Sequence, residues 1–248
     1  MSEAQELAGR VALVTGAGRN IGRAIALALA EAGAAVVVNA RQDRTQVDAV
    51  VGEIEARGGR ALGYLADVAD SDAVFMMIKA IDARFGRIDY LINNAALRRE
   101  QALEQMTPAL WREVMGVTLD GQFHCALACL PYLKTSGVGA IVNIGGLTAH
   151  TGAKGRTHVV TAKAGLIGLT RALASELAEQ NITVNLVSPG MIGAPPAARP
   201  QETRISTLTG ARGAPEDIAG MVRFLCGPQA RYITGQTIHV NGGAYFGS

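Results

Sequence analysis

The stretch Thr15-Gly16-Ala17-Gly18-Arg19-Asn20-Ile21-Gly22 lies between an apolar β-branched run, Val11–Thr15, and a helical run, Ile21–Ala32. Strand, glycine loop and helix in that order present bare backbone N–H groups and a positive helix end to a phosphate. The spacing is not the ordinary dinucleotide fingerprint, because three residues rather than two separate Gly18 from Gly22. Asn20 suits such a loop, since Asn is the non-glycine residue that most readily takes a positive φ. A loop of this kind can also be purely structural, so the ends of the other strands have to decide.

The next polar signals lie at those ends. Asn39-Ala40-Arg41 closes the second apolar run. Sites selective for NAD place a carboxylate there for the ribose hydroxyls. Ala40 leaves no charge to repel a 2′-phosphate, and Arg19 and Arg41 can both reach toward one, which favours NADP while leaving NAD possible. Arg41 could equally be a solvated loop arginine. Asp67-Val68 ends the third run, where Asp67 is either a cofactor contact or the cap of a helix starting near Ser71. The fourth run ends in Asn93-Asn94-Ala95-Ala96, and two adjacent buried Asn are costly unless hydrogen-bonded. Further on stand Thr148, His150, His158 and Lys163. Arg98 could face a pocket and hold an acidic substrate, or lie on the solvated surface.

The elements that position these residues follow from periodicity. Strands are expected at Val11–Thr15, Ala35–Asn39, Ala61–Ala66, Ile88–Asn93, Ala140–Ile144, Thr183–Ser188 and Thr237–Val240. Helices are expected at Ile21–Ala32, Thr45–Arg57, Ser71–Phe85, Pro108–Leu133, Thr157–Glu179 and Pro215–Leu225. Gly33, Gly58-Gly59 and Gly86 stand where helices should stop. This alternation predicts right-handed βαβ crossovers and a doubly wound α/β fold of Rossmann type. About seven parallel strands should carry helices on both faces. Ligands of such sheets bind beyond the carboxyl ends of the strands.

Composition narrows the function. The 248 residues suit a single domain spanning 1–248, with no repeat or linker. Basic and acidic residues nearly balance at 23 and 21, and Arg98-Arg99 is the densest basic pair, so no nucleic-acid partner is expected. No apolar run reaches the ~18 residues of a membrane helix. The polar N-terminus does not resemble a signal peptide, so a cytoplasmic protein without a membrane partner is expected. Cys125, Cys129 and Cys226 form no C-x-x-C pair. The first two share one helix face and read as small buried hydrophobes.

Together these motifs resemble the short-chain dehydrogenase/reductase family, and the chain is similar to its 3-oxoacyl-[acyl-carrier-protein] reductases. The glycine loop resembles the family's TGxxxGxG, with Asn20 for the middle glycine, and Asn93-Asn94-Ala95-Ala96 resembles its NNAG. Pro189-Gly190, Ile233-Thr234-Gly235-Gln236 and Val240-Asn241-Gly242-Gly243 match later family motifs, so the likeness runs from about residue 8 to 244. It implies cofactor contacts at Gly16, Gly18, Arg19, Asn20, Ile21, Gly22, Arg41, Asp67, Val68, Asn93, Ala95, Lys163, Pro189, Gly190 and Ile192. Asp67-Val68 would lie along the adenine. Ala194 takes the place of a threonine that bonds the carboxamide. A mobile substrate loop is expected over 191–212, which contains Pro195, Pro196 and Pro200.

Family members move a hydride between a nicotinamide and a carbonyl or alcohol, using a Tyr-x-x-x-Lys helix motif, a Ser after the fifth strand and an Asn in the preceding helix. The Tyr hydroxyl donates the proton, the Lys lowers its pKa, and the Ser polarises the same oxygen. Here Thr161-Ala162-Lys163-Ala164-Gly165-Leu166 matches the segment around the Lys, and Val159 stands where the Tyr belongs. Gly146 stands for the Ser, and Thr118 for the Asn. No tyrosine occurs between Tyr132 and Tyr232, so no shift of register restores the acid. Only Lys163 is retained; a proton would pass from it through water, or from His150, whereas the helical step turns His158 about 100° from Val159.

The expectation is an NADP(H)-linked oxidoreductase with an atypical site, acting on an unidentified small molecule. A catalytically silent nucleotide-binding sensor or partner subunit, and non-redox chemistry in the same pocket, are the alternatives. The resemblance also implies a homo-oligomer, dimer or tetramer, paired through Pro108–Leu133 and Thr157–Glu179. The apolar content of those helices would serve packing on the sheet equally well.

Overall fold

The apolar runs become strands β1 (Val11–Val14), β2 (Ala35–Ala40), β3 (Arg60–Leu65), β4 (Tyr90–Asn93), β5 (Ala140–Ile144), β6 (Thr183–Pro189) and β7 (Thr237–Val240). The computed structural model describes residues 5–193 and 207–247. All strand pairs are parallel, in the order β3-β2-β1-β4-β5-β6-β7. The helices are α1 (Asn20–Glu31), α2 (Arg44–Ala56), α3 (Ser71–Phe85), α4 (Pro108–Met115), α5 (Gly121–Ser136), α6 (Thr148–Thr151), α7 (Thr157–Leu177) and α8 (Pro215–Cys226).

Strand alternation divides the core between the two faces. Val14, Val38, Ile92 and Val142 pack with α1, α2 and α8. Leu13, Val37, Leu91 and Ile141 pack with α3, α5 and the end of α7. Because both faces are covered, the strands read as continuous apolar runs. Cys125, Cys129 and Cys226 are free and buried in these layers, as expected of small hydrophobes.

Local chemistry sets the helix ends. Asp70, not Asp67, caps α3, accepting from the Asp72 and Ala73 amides at 2.9 and 3.1 Å. Gly86, at φ +69°, stops that helix in the left-handed region. Asp43 caps α2 and Thr107 caps α4.

The expected helix Pro108–Leu133 is present and uninterrupted, with one π-helical turn inside it. Gly116–Asp120 forms a π-turn between α4 and α5, and α5 runs on to Ser136. Just after the π-turn, close packing requires a glycine, since a Cβ at Gly121 would stand 2.6 Å from Val68 Cγ2. The π-turn also buries Thr118, whose Oγ1 accepts the Leu97 amide at 3.1 Å. Smaller differences concern strand ends: Ile88 lies outside β4, and β1 stops at Val14, because Thr15 bonds across to the end of β4.

At the amino edge of the sheet, Asp89 has no exposed side-chain surface. It accepts from the Val11 amide at 2.9 Å, Ser136 Oγ at 2.6 Å and Arg87 Nε at 2.8 Å. Burial alone would push this carboxyl up, but bonds from Arg87, Ser136 and Val11 outweigh it and hold the pKa below its ordinary value. Its stabilisation is complete above the unfolded value of ~3.9 and is lost as pH falls through the lower folded value. Asp89→Asn should therefore cost ~3 kcal/mol in urea unfolding at pH 7. The variant should also show a flatter loss of stability below about pH 4. Unchanged stability and an unchanged acid limb would contradict this role for Asp89.

Candidate functional site

A cleft of about 850 Å³ runs along the carboxyl ends of the strands. It crosses the β1/β4 boundary, where the strand order reverses, the place at which such sheets bind ligands. Its walls are the segments following β1 to β6.

At the centre lies the glycine loop. Asn20 takes φ +48° and Gly16 φ +62°, which is the conformation expected of Asn20. A Cβ on Gly22 would stand 2.3 Å from the Gly16 carbonyl, so helix and loop touch backbone to backbone. Asn94 Nδ2 donates to the Thr15 and Gly16 carbonyls, both at 2.9 Å. Thr15 Oγ1 accepts the Asn94 and Ala95 amides, both at 3.0 Å. These bonds fix the loop to the end of β4. No side chain caps α1, and its first turn carries no acidic residue. Its free N–H groups and positive end therefore open into the cleft beside Arg19.

On the β2 and β3 side, Ala40 and Arg41 both line the cleft. Arg41 makes a loose ion pair with Asp67, at 3.9 Å. Asp67 also accepts the Ala69 amide at 3.0 Å, and buried Val68 lies beside it in the wall. Gly16, Gly18, Ile21, Gly22, Ala95, Gly190 and Ile192 are lining residues too. Asn93 and Pro189 are not. Asn93 turns into the core and donates to Asn143 Oδ1 at 3.0 Å, while Asn143 donates to Thr170 Oγ1 at 2.9 Å. Pro189 is a strand residue paired with Val240. Ala194 and most of the 191–212 loop lie outside the described residues.

The inner end holds Lys163, with Ile144 and Gly145 beside it. Its Nζ donates to the Ile144 carbonyl. Burial, helped by the Arg98 charge, pulls the amine down to about 7. Val159, one turn earlier, is buried and offers no donor. At Gly146 a Cβ would meet nothing within 4 Å.

The histidines are not at the cleft wall. His158 is fully buried, and neither ring nitrogen has a partner among the described residues. Burial lowers its pKa. The His150 ring lies 4.6 Å from His239 and 5.2 Å from Tyr245, toward β7. Sequence reasoning missed Gln46 and Pro215 as lining residues, while Arg212 comes from the expected 191–212 loop. Gln46 is brought in by contact with Gly18, 3.2 Å from its would-be Cβ, and no spacing in the chain announces this.

Among the described residues no cluster of three or more His, Cys, Asp or Glu could hold a metal ion, and no helix is long and apolar enough to cross a membrane. A family model described as enoyl-(acyl carrier protein) reductase matches residues 16–245. The 3-oxoacyl-[acyl-carrier-protein] reductase FabG of Staphylococcus aureus is 44% identical over 239 residues, 94% of this chain and 97% of that protein. The (2S)-[(R)-hydroxy(phenyl)methyl]succinyl-CoA dehydrogenase subunit BbsD of Thauera aromatica is 42% identical, over 94% of this chain and 96% of its own length. Among solved structures, a short-chain dehydrogenase of Burkholderia cenocepacia in complex with NADP superposes with TM-score 0.90 at 34% identity. That match covers 96% of this chain and 99% of the other.

The Lys163 amine makes a signed prediction. Unfolded, it titrates near ~10.4; folded, near about 7. The folded state thus disfavours the charged amine, and the wild type gains stability as pH rises from about 7 toward ~10. Lys163→Met removes this dependence. Its urea midpoint should exceed that of the wild type most at pH 6.5, and the advantage should shrink steadily by pH 9.5. A difference that does not vary with pH would show that the amine titrates normally.

Proposed function

The chain belongs to the short-chain dehydrogenase/reductase family, and on that premise we propose that its cleft holds NADP(H) in preference to NAD(H). The observation that carries this reading is the uncapped α1 end, floored by glycines whose Cβ atoms would collide with backbone, opening into a cleft with Ala40 and Arg41 after β2. Residues 16–22 would hold the pyrophosphate, and Arg19 and Arg41 the 2′-phosphate. Asp67 and Val68 would meet the adenine. Ala95 and Lys163 would lie along the ribose side, with Gly190 and Ile192 toward the nicotinamide. Asn93 and Pro189 would support that end from beneath. The NADP complex of the Burkholderia cenocepacia relative supports this reading.

Bound there, the nicotinamide supplies or accepts a hydride. The protein's part is the proton. Val159 and Gly146 carry no hydroxyl, and Thr118, whose Oγ1 accepts the Leu97 amide, is fully buried and does not line the cleft. Lys163, titrating near about 7, is left as the group able to hold a proton for a neighbouring water. Loss of a general acid typically costs ~10²–10⁴ in rate, and loss of an oxyanion donor ~10²–10³. The two losses overlap because such groups act as a unit. We therefore read the protein as a slow, atypical carbonyl/alcohol oxidoreductase. The missing hydroxyls equally favour a silent nucleotide-binding subunit, and one relative is itself named as a subunit. We further read the chain as one domain that self-associates, because Phe123 and Leu127 are exposed one turn apart on α5.

NADPH fluorescence should saturate on titration, and Arg41→Ala should weaken NADPH about tenfold while sparing NADH. Absence of saturation with both nucleotides would refute the cofactor reading. Gly146→Ser with Val159→Tyr should raise NADPH oxidation on a ketone panel ~10²-fold or more. The first change has open space to enter. Wild-type turnover at background, with saturable binding, would select the silent subunit.

A further inference from the structure

The segment after β4 is tethered at almost every residue. The Leu97 amide bonds Thr118 Oγ1 at 3.1 Å, and the Gln101 amide bonds the Gly155 carbonyl at 2.8 Å. Arg99 pairs with Glu113 at 2.9 Å, and Glu100 pairs with Arg156. Arg98 is the exception. It lines the cleft, is solvent-exposed, and among the described residues no carboxylate, hydroxyl or carbonyl partners it.

The charged neighbours that act on it resolvably are cations. Surrounding protein and the Arg156 charge both press the Arg98 pKa down, and Arg98 in turn presses on Lys163. Three basic groups thus act on one another, and Glu100 pairs with the outer one, Arg156. A guanidinium on a tethered backbone, lining the cleft at its solvent-exposed rim and without a bonded counter-charge, has the form of an anion subsite. Its planar fork suits a carboxylate, which it can bind through two parallel N–H bonds.

We infer that Arg98 binds the carboxylate of an acidic carbonyl compound or hydroxy acid, at the same end of the cleft as Lys163. This deepens the proposed function by naming its substrate class, and it rests on that reading only for the carbonyl. The competing source of anionic charge is the cofactor itself, whose phosphates Arg98 would then hold.

Ligand-observed NMR with 4-oxopentanoate and its neutral methyl ester separates these cases, with and without saturating NADPH. The wild type should bind the acid about tenfold more tightly than the ester. Arg98→Gln should abolish the difference and leave NADPH affinity unchanged, and Arg98→Lys should restore part of it. Arg99→Gln should keep the preference. Equal binding of acid and ester by the wild type would overturn the inference. So would an acid preference that survives Arg98→Gln, an equal loss in Arg99→Gln, or a loss of NADPH affinity in Arg98→Gln. Because acid binding is read without the nucleotide as well, failure of the cofactor reading would appear separately, as absent NADPH saturation.

Discussion

The knot joining Thr15, Gly16, Gly22 and Asn94 is the constraint on which the site depends. Neighbouring strands β1 and β4 connect in opposite directions, so their carboxyl ends part and leave a crevice. A crevice alone would be a flexible gap. Asn94 closes it by donating to two consecutive carbonyls of the loop, while Thr15 Oγ1 takes two consecutive amides from the other side. These polar groups are partly buried, and leaving any one unpaired would cost about 1–3 kcal/mol. The knot therefore forms whole, and it fixes where the α1 end points.

The same logic extends inward along one face of the sheet. Asn93, Asn143 and Thr170 form a chain of side-chain bonds from β4 through β5 to α7, and Lys163 on α7 bonds the β5 carbonyl of Ile144. The helix is thus held to the sheet at the level where its amine meets the cleft. None of these bonds involves Val159 or Gly146. Valine at 159 adds to buried apolar surface, and glycine at 146 stands beside open space. Neither residue leaves an orphaned polar group, so the scaffold bears no penalty for lacking hydroxyls there.

Much of this was legible in the chain. Strand and helix types follow from β-branched runs and glycine stops, and the strand-end rule finds most of the cleft. What escaped depends on packing across the fold. Nothing in the spacing announces the π-turn at Gly116–Asp120, and Gly121 after it packs on Val68, which is distant in sequence. Asp67 and Asp70 are the same residue type three positions apart, and only the chain's direction at β3 decides which one caps α3. His150 follows the fifth strand, as an active-site residue would, yet ring packing with His239 and Tyr245 takes it away. Arg98 and Arg99 are alike in the sequence. Their difference is that Glu113 reaches one and nothing among the described residues reaches the other.

Charge balance then joins site and scaffold. A buried lysine facing a glycine-lined pocket is tolerable because its amine can shed its proton near neutral pH. Arg98 cannot do so, since a guanidinium stays charged at any pH the fold survives. The protein therefore carries one adjustable and one permanent positive charge at the same end of the cleft. An anion beside Arg98 would offset the permanent charge and remove the smaller of the two influences that hold Lys163 down, burial remaining the larger. Under the proposed reading, the substrate's own charge would ready the amine to hold the proton that neither Val159 nor Gly146 can supply. Substrate binding and proton supply would then be electrostatically coupled through Arg98, on top of the burial that sets most of the Lys163 shift.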